Sequence, residues 1–365
     1  MKTDSISEEA GRTGPECIHF GACGGCSLQD VPLDRYREEK RAQVVEALER
    51  RGLSQVPVLP LVPTPVRSRR RAMLAARKAG GRVLLGFNER RSSRIVDITG
   101  CTILVPALMA LLPRLRVFLQ VLLKEGPALD VSLTALPDGV DILLTGRLDL
   151  SLEAREAVAA FAAQGGVSRV AVASAPYAEA EPLIQLRPCM TFFGGVPVAM
   201  PPGAFLQASA EGEQALVRLV VDAVGAAVTV ADLFSGCGTF TFPLAKTARV
   251  HAFETSALAV QAIQATGQRG VTATRRDLDQ DPLTVKELSR FQAVVLDPPR
   301  RGAQEQCRQL ARSDVPVLVF VSCSPDSFAR DARILADGGY RPVSVTPVDQ
   351  FVWSSHIELV GVFVR

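Results

Sequence analysis

Apolar residues fall at helical spacing over 34–51, where Tyr36, Val44, Val45 and Leu48 make a stripe among charged neighbours, and Gly52 stands where such a helix would end. The Pro-rich segment 56–65 reads as extended chain. Residues 67–100 read as strands turning at Gly80-Gly81, a hairpin signal. Helical periodicity returns over 105–124 and 151–164, with strands near 129–135, 140–146 and 168–174. From about residue 190 the pattern changes. A helix over 216–224 leads into apolar runs at 228–234 and 249–253. Further runs end near Asp277, Asp297 and Cys323. Alternating strands and helices predict a doubly wound parallel sheet. The fold class is therefore α/β. The expected organisation is a disordered tail at 1–15, an α+β domain over 16–190 and a Rossmann-like domain over 191–365.

The most apolar long stretch, 103–123, contains Pro106, Pro113, Arg114 and Arg116, so it reads as a packed helix and not a membrane span. Residues 1–16 are polar and lack the apolar core of a signal peptide. A cytoplasmic, monomeric protein without membrane contact is expected. The 365 residues, 47% apolar and 22% charged, can bury more than one core. Net charge is only +3, but it is unevenly spread. Arg67, Arg69, Arg70, Arg71, Arg77, Lys78, Arg82, Arg90, Arg91 and Arg94 face a single acid, Glu89, in their segment. Such a block is the electrostatic footprint of a polyanion binder, RNA being the expected partner; a solvated basic face is the alternative.

Two strand ends carry candidate chemistry. One apolar run stops at Asp297-Pro298-Pro299-Arg300, the other at Ser322-Cys323-Ser324-Pro325. In an open α/β sheet both would sit on the ligand-binding rim. Cys323 is the candidate nucleophile and Glu358 the candidate base. The plainer readings are a core cysteine and a surface carboxylate. His356 is a second possible base or a structural histidine. Cys237 is a rival nucleophile, worse placed inside the turn Ser235-Gly236-Cys237-Gly238. That turn follows Asp232 at a strand end, and Glu254 ends the next strand, where it can accept ribose hydroxyls. The third glycine of a dinucleotide fingerprint is missing, which favours S-adenosylmethionine (SAM) over nicotinamide cofactors; an ordinary βαβ turn is the alternative. Asp277 could meet the adenine edge, and Asp297 with its stiff Pro-Pro loop could frame a base beside the cofactor.

Cys17, Cys23 and Cys26 are clustered in Cys-x5-Cys-Gly-Gly-Cys, and Cys101 lies far downstream. Four thiolates suit zinc or a [4Fe–4S] cluster. The two paired Cys-x2-Cys units usual in zinc ribbons are absent, Cys23 and Cys26 making only one, which favours iron–sulfur, and the Cys-x3-Cys-x2-Cys spacing of radical-SAM enzymes is absent too. Free structural thiols remain the other reading.

These motifs, with Gly86-Phe87, Pro202-Gly203-Ala204-Phe205-Leu206-Gln207 and Asp232-Leu-Phe-Ser-Gly-Cys-Gly-Thr239, resemble the RNA uracil-5-methyltransferase family over nearly the whole chain from Cys17. Within it, they look like the iron–sulfur enzymes that act on 23S ribosomal RNA. The resemblance implies a SAM pocket at Gln207, Phe234, Thr239, Glu254, Asp277 and Asp297. It implies Cys323 as nucleophile, Glu358 as base, and Cys17, Cys23, Cys26 and Cys101 as [4Fe–4S] ligands. The family commonly has Asn where this chain has Ser324, and Phe-Pro-x-Thr where it has Phe351-Val352-Trp353-Ser354. Only 16 residues precede Cys17, which leaves no room there for the RNA-binding TRAM barrel of many relatives and points to the barrel-less branch. The expected activity is SAM-dependent methylation of carbon 5 of a uridine in 23S rRNA. The alternatives are a tRNA uridine methyltransferase and a non-catalytic RNA-binding iron–sulfur protein.

Overall fold

The computed structural model describes residues 15–176 and 178–365. The tail expected over 1–15 lies outside them, Pro15 apart. In chain order, α1 (Leu33–Glu49) is followed by β1 (Val62–Pro63), the hairpin β2 (Arg71–Ala79) and β3 (Arg82–Gly86), and α2 (Pro106–Leu122). Next come β4 (Leu129–Leu136), β5 (Gly139–Thr145), α3 (Leu152–Ala163), β6 (Val167–Ala173) and β7 (Glu181–Gln185). Strands β3-β2-β4-β5-β6-β7 form one sheet in that order, with α2 and α3 sharing a core with it. Gly80 and Gly81 both take positive φ, 58° and 75°, which the tight β2–β3 turn requires.

A small hairpin, β8 (Met190–Phe193) and β9 (Val196–Ala199), precedes α4 (Ala210–Val224). The second sheet then unfolds along the chain: β10 (Thr229–Leu233), α5 (Thr241–Leu244), β11 (Arg249–Glu254), α6 (Ala257–Ala265), β12 (Val271–Arg275), α7 (Val285–Leu288) and β13 (Ala293–Leu296). It ends with α8 (Gln304–Leu310), β14 (Val317–Ser322), α9 (Pro325–Asp337), β15 (Arg341–Asp349) and β16 (Glu358–Val364). Its order is β1-β15-β16-β14-β13-β10-β11-β12. Strands β10 to β14 are parallel, and β16 runs antiparallel between β14 and β15. Leu233 and Leu296 pack into one core layer, Val230 and Val295 into the opposite one. Burial on both faces is why these strands read as unbroken apolar runs.

Three expectations are modified. The helix read over 216–224 begins earlier, at Ala210, because Ser209 caps it by accepting from the Gly212 N–H. The stripe on α1 includes a charge: Lys40 is buried with Tyr36 and Val44, paired with Asp349 at the end of β15. The basic block is only partly a surface. Arg70 donates to the Gln207 carbonyl at 3.1 Å and to Glu213 at 2.6 Å, Arg71 to the Leu206 carbonyl at 3.1 Å, and Lys78 to the Gln120 carbonyl at 2.9 Å. Arg69 also turns inward, to the Arg71 carbonyl. Arg70 and Arg71 therefore clamp the first sheet to the segment entering α4. Arg67, Arg77, Arg82, Arg90, Arg91 and Arg94 stay exposed. Among the described residues no helix is long and apolar enough to cross a membrane.

Candidate active site

The chain reverses its direction of strand addition between β10 and β13, and ligands bind at such a switch point. A cavity of about 360 Å³ opens there, lined by Phe234, Thr239, Glu254, Asp277, Asp297, Cys323 and Glu358. That volume lies in the range of small-molecule pockets. The structure thus brings together every site residue predicted for this sheet except Gln207, which reaches the cavity wall through Asp297.

The turn after β10 shapes one end. Phe234 takes φ +60°, a left-handed conformation that costs a residue with a Cβ about 1–3 kcal/mol. At Gly238, φ +101°, a Cβ would stand 2.4 Å from the Phe242 ring, so only glycine fits. Glu254, at the end of β11, accepts from the Gly236 N–H at 3.0 Å and from the Ser256 N–H at 2.8 Å. It holds the turn in place, and each carboxylate oxygen has a further lone pair to offer. Asp232 is buried below, accepting from the Thr241 hydroxyl at 2.5 Å, and its Oδ1 has no partner among the described residues. Burial pushes its carboxyl up to about 7. Cys237 is buried beside it in the core, its thiol pushed up by burial to about 12, and it does not line the cavity. Asp277 is exposed and accepts from the Asp279 N–H at 3.1 Å, which shapes the turn that closes this end.

The other end holds the candidate nucleophile and base. Asp297 and Cys323 follow directly on the adjacent parallel strands β13 and β14, as expected. Glu358 opens β16, the strand beside β14, and its side chain is buried. Burial, and then the neighbouring Asp297, push the Glu358 carboxyl up to about 8. Burial, and then Asp232, push Asp297 up to about 7. Cys323 is half-buried, its thiol pushed up to about 11 by burial and by Glu358, while the Arg300 guanidinium pulls the other way. Arg300 also donates to His356 Nδ1 at 2.6 Å, so that ring nitrogen is an acceptor and not a free base.

Sequence reasoning missed Gln350. Its buried amide lies between Gln207 and Glu358, at 2.8 Å and 2.7 Å. No local signal marks it: it directly follows β15, a strand that the periodicity did not resolve. Of the two departures from the family pattern, Ser324 caps α9 by accepting from the Ser327 N–H at 3.4 Å. Val352 and Trp353 are buried against Tyr36 and Ile103.

A second cavity is lined by Cys17, Cys23, Cys26 and Cys101 together, with Gln29, Phe87 and Ile103. The thiols of Cys23, Cys26 and Cys101 are raised by burial first and by neighbouring thiols of the cluster as well, Cys26 to about 12. Arg69, half-buried, lies near Cys26 and Cys101 and offsets negative charge there. Among the described residues, no three His, Cys, Asp or Glu side chains gather closely enough for a single metal ion.

A doubly wound sheet with its cavity at the switch point, a glycine turn on β10 and an acid on β11 is the architecture of an α/β methyltransferase. The structure of the tRNA (uracil-54, C5)-methyltransferase of Pyrococcus abyssi, 24% identical, superposes with TM-score 0.75 over 94% of this chain and 85% of that one. The profile of the tRNA (Uracil-5-)-methyltransferase family matches residues 199–365. An RNA methyltransferase of Caulobacter vibrioides is 45% identical, the match covering 97% of this chain and 86% of the relative. The 23S rRNA (uracil(1939)-C(5))-methyltransferase RlmD of Halomonas elongata is 33% identical, over 98% of this chain and 77% of the relative. The chain belongs to the RNA uracil-5-methyltransferase family.

Proposed function

We propose that this protein transfers a methyl group from SAM to carbon 5 of a uridine in 23S rRNA. The observation that carries the chemistry is the placing of Cys323, Glu358 and Asp297 on one cavity beside the glycine turn. The rRNA substrate rests on the whole-length similarity to the 23S rRNA enzyme of Halomonas elongata.

The cofactor fits the turn end. Phe234, Thr239, Glu254 and Asp277 line it, and Glu254 has lone pairs for ribose hydroxyls. Bound there, SAM would supply an electrophilic methyl group on a sulfonium, with a neutral thioether as the leaving group. The protein's own residues do the rest. Cys323 gives up its proton to solvent, helped by the Arg300 charge, and its thiolate adds to carbon 6 of the uracil. The ring becomes an enolate that is nucleophilic at carbon 5. After methylation, the Glu358 carboxylate removes the carbon 5 proton, the carbon 5–carbon 6 double bond re-forms and the Cys323 thiolate leaves. Asp297, hydrogen-bonded to Gln207 at 3.3 Å, is read as a cofactor and base binder and not as the proton acceptor. The target nucleotide must leave its stack, because carbon 6 is attacked from the ring face.

Residues 191–365 carry this chemistry and residues 16–190 the RNA-contacting surface, with the exposed Arg67, Arg77, Arg90 and Arg91 as phosphate contacts. Cys17, Cys23, Cys26 and Cys101, which line one cavity, are assigned as ligands of a structural [4Fe–4S] cluster. The donor set is all thiol. Four thiolates suit zinc or a [4Fe–4S] cluster, and the lack of a second Cys-x2-Cys pair favours the cluster. Cys26→Ser is expected to lose stoichiometric iron and acid-labile sulfide and to lower the melting temperature. Full iron content in the variant would remove Cys26 from the ligand set.

Nucleoside mapping of RNA from a deletion strain tests the substrate. 5-Methyluridine should disappear from one site in 23S rRNA and persist in tRNA. Loss from tRNA with intact rRNA would reassign the substrate.

A further inference from the structure

Gln350 sits at the end of β15, between the two carboxyls of the active site, and its amide has one permitted orientation. Its Oε1 accepts from the Ala208 backbone N–H at 3.1 Å. Its Nε2 therefore carries both donors toward Gln207 Oε1, at 2.8 Å, and Glu358 Oε2, at 2.7 Å. Gln207 in turn donates from its Nε2 to Asp297 Oδ2 at 3.3 Å. All of the amide's hydrogen-bonding groups are engaged, and flipping it would set Oε1 against two acceptors. A place is kept for it in the fold. At Gly212, in the first turn of α4, a Cβ would stand 2.6 Å from Gln350 Cβ and 3.3 Å from its Oε1. The neighbouring Asp349 is held by Tyr36 at 2.5 Å and by Lys40, and Lys40 also donates to the carbonyls of Phe351 and His356. The strand end is thus fixed from both sides.

We propose that Gln350 is a positioning residue for proton removal, its amide holding Glu358 by Oε2 and tying it through Gln207 to Asp297. Oε2 then presents one lone pair to Gln350, which leaves Oε1 the less engaged oxygen for the proton taken from carbon 5. The inference rests on the reading of Glu358 as the base.

The amide also favours the charged carboxylate that must accept the proton. The charged and titratable groups facing Glu358 are Asp297 beyond β13, Arg300 in the following loop and Cys323 beyond β14. Asp297 opposes ionisation of Glu358, while Gln350 and Arg300 favour it. Removing Gln350 leaves Asp297 less opposed, and the carboxylate forms only at higher pH.

The test is Gln350→Met, which keeps volume and removes the donors, in single-turnover reactions with substrate RNA across pH. Adduct formation should be unchanged. Release of methylated RNA should slow about tenfold at neutral pH, its acid limb should move up by about one unit, and the rate should recover at high pH. The RNA–protein adduct should accumulate meanwhile. A role in packing alone would lower the rate equally at every pH; an unmoved acid limb in a folded variant overturns the proposal. If Gln350→Met shows no cooperative melting, Gly212→Ala carries the test, since it displaces the amide while keeping it. Absence of adduct and turnover in the wild-type protein would instead defeat the reading of Cys323 and Glu358.

Discussion

Cys323→Ala is expected to abolish methyl transfer, by on the order of 10⁴-fold or more, because carbon 5 of uracil is not nucleophilic until a thiolate has added to carbon 6. The variant should fold normally. Cys323 is half-buried at a strand end, and its replacement opens little core space. Two assays read the effect. Transfer of labelled methyl to RNA should vanish. The denaturant-stable complex that wild-type protein forms with 5-fluorouridine RNA should not form, since the fluorine that stalls elimination matters only after the thiolate has added. A complex of undiminished yield in Cys323→Ala would move the nucleophile elsewhere. Cys237→Ala serves as the control and should retain adduct formation, because Cys237 is buried outside the cavity.

Glu358→Gln should block the reaction one step later. The thiolate still adds and the methyl group still moves, but nothing removes the proton from carbon 5. Turnover should fall by about 10²- to 10⁴-fold, while a methylated, covalent RNA–protein complex accumulates with ordinary uridine RNA. Cys323→Ala leaves no adduct and Glu358→Gln leaves too much, so a single gel separates the two roles. Stability supplies a second readout. The folded Glu358 carboxyl is raised to about 8 from an ordinary 4.5, so native protein binds the proton more tightly than unfolded chain. Its contribution is present below the ordinary value and is lost as pH rises through about 8. The glutamine does not titrate. The melting temperature of Glu358→Gln should therefore exceed that of wild type increasingly as pH rises from 5 to about 9. A variant that turns over near the wild-type rate would show that another group, such as Asp297, takes the proton.

The rim positions of Asp297 and Cys323 were legible because parallel strands buried on both faces are written as apolar runs that stop abruptly. The glycine turn and Glu254 were legible because close backbone approach needs glycine at fixed offsets from a strand end. The basic block misled in part. Counting arginines shows charge but not direction, and Arg69, Arg70, Arg71 and Lys78 point their heads into carbonyls and Glu213 instead of toward solvent. Lys40 misled the opposite way, a lysine inside an apolar stripe that only its distant partner Asp349 makes tolerable.

By itself, then, the sequence determined the α/β class, the strand-end positions of Asp297 and Cys323, the glycine turn, and the set of four cysteines that share one pocket. These are properties of local pattern and spacing. Only the tertiary structure decided that Glu358 is buried against Asp297, that Gln207 and Gln350 wire the two together, and that Arg70 and Arg71 clamp the first sheet to the segment entering α4. Each of those depends on contacts between residues far apart in the chain, brought together by the antiparallel insertion of β16 and by helix α4, and no periodicity encodes such a meeting.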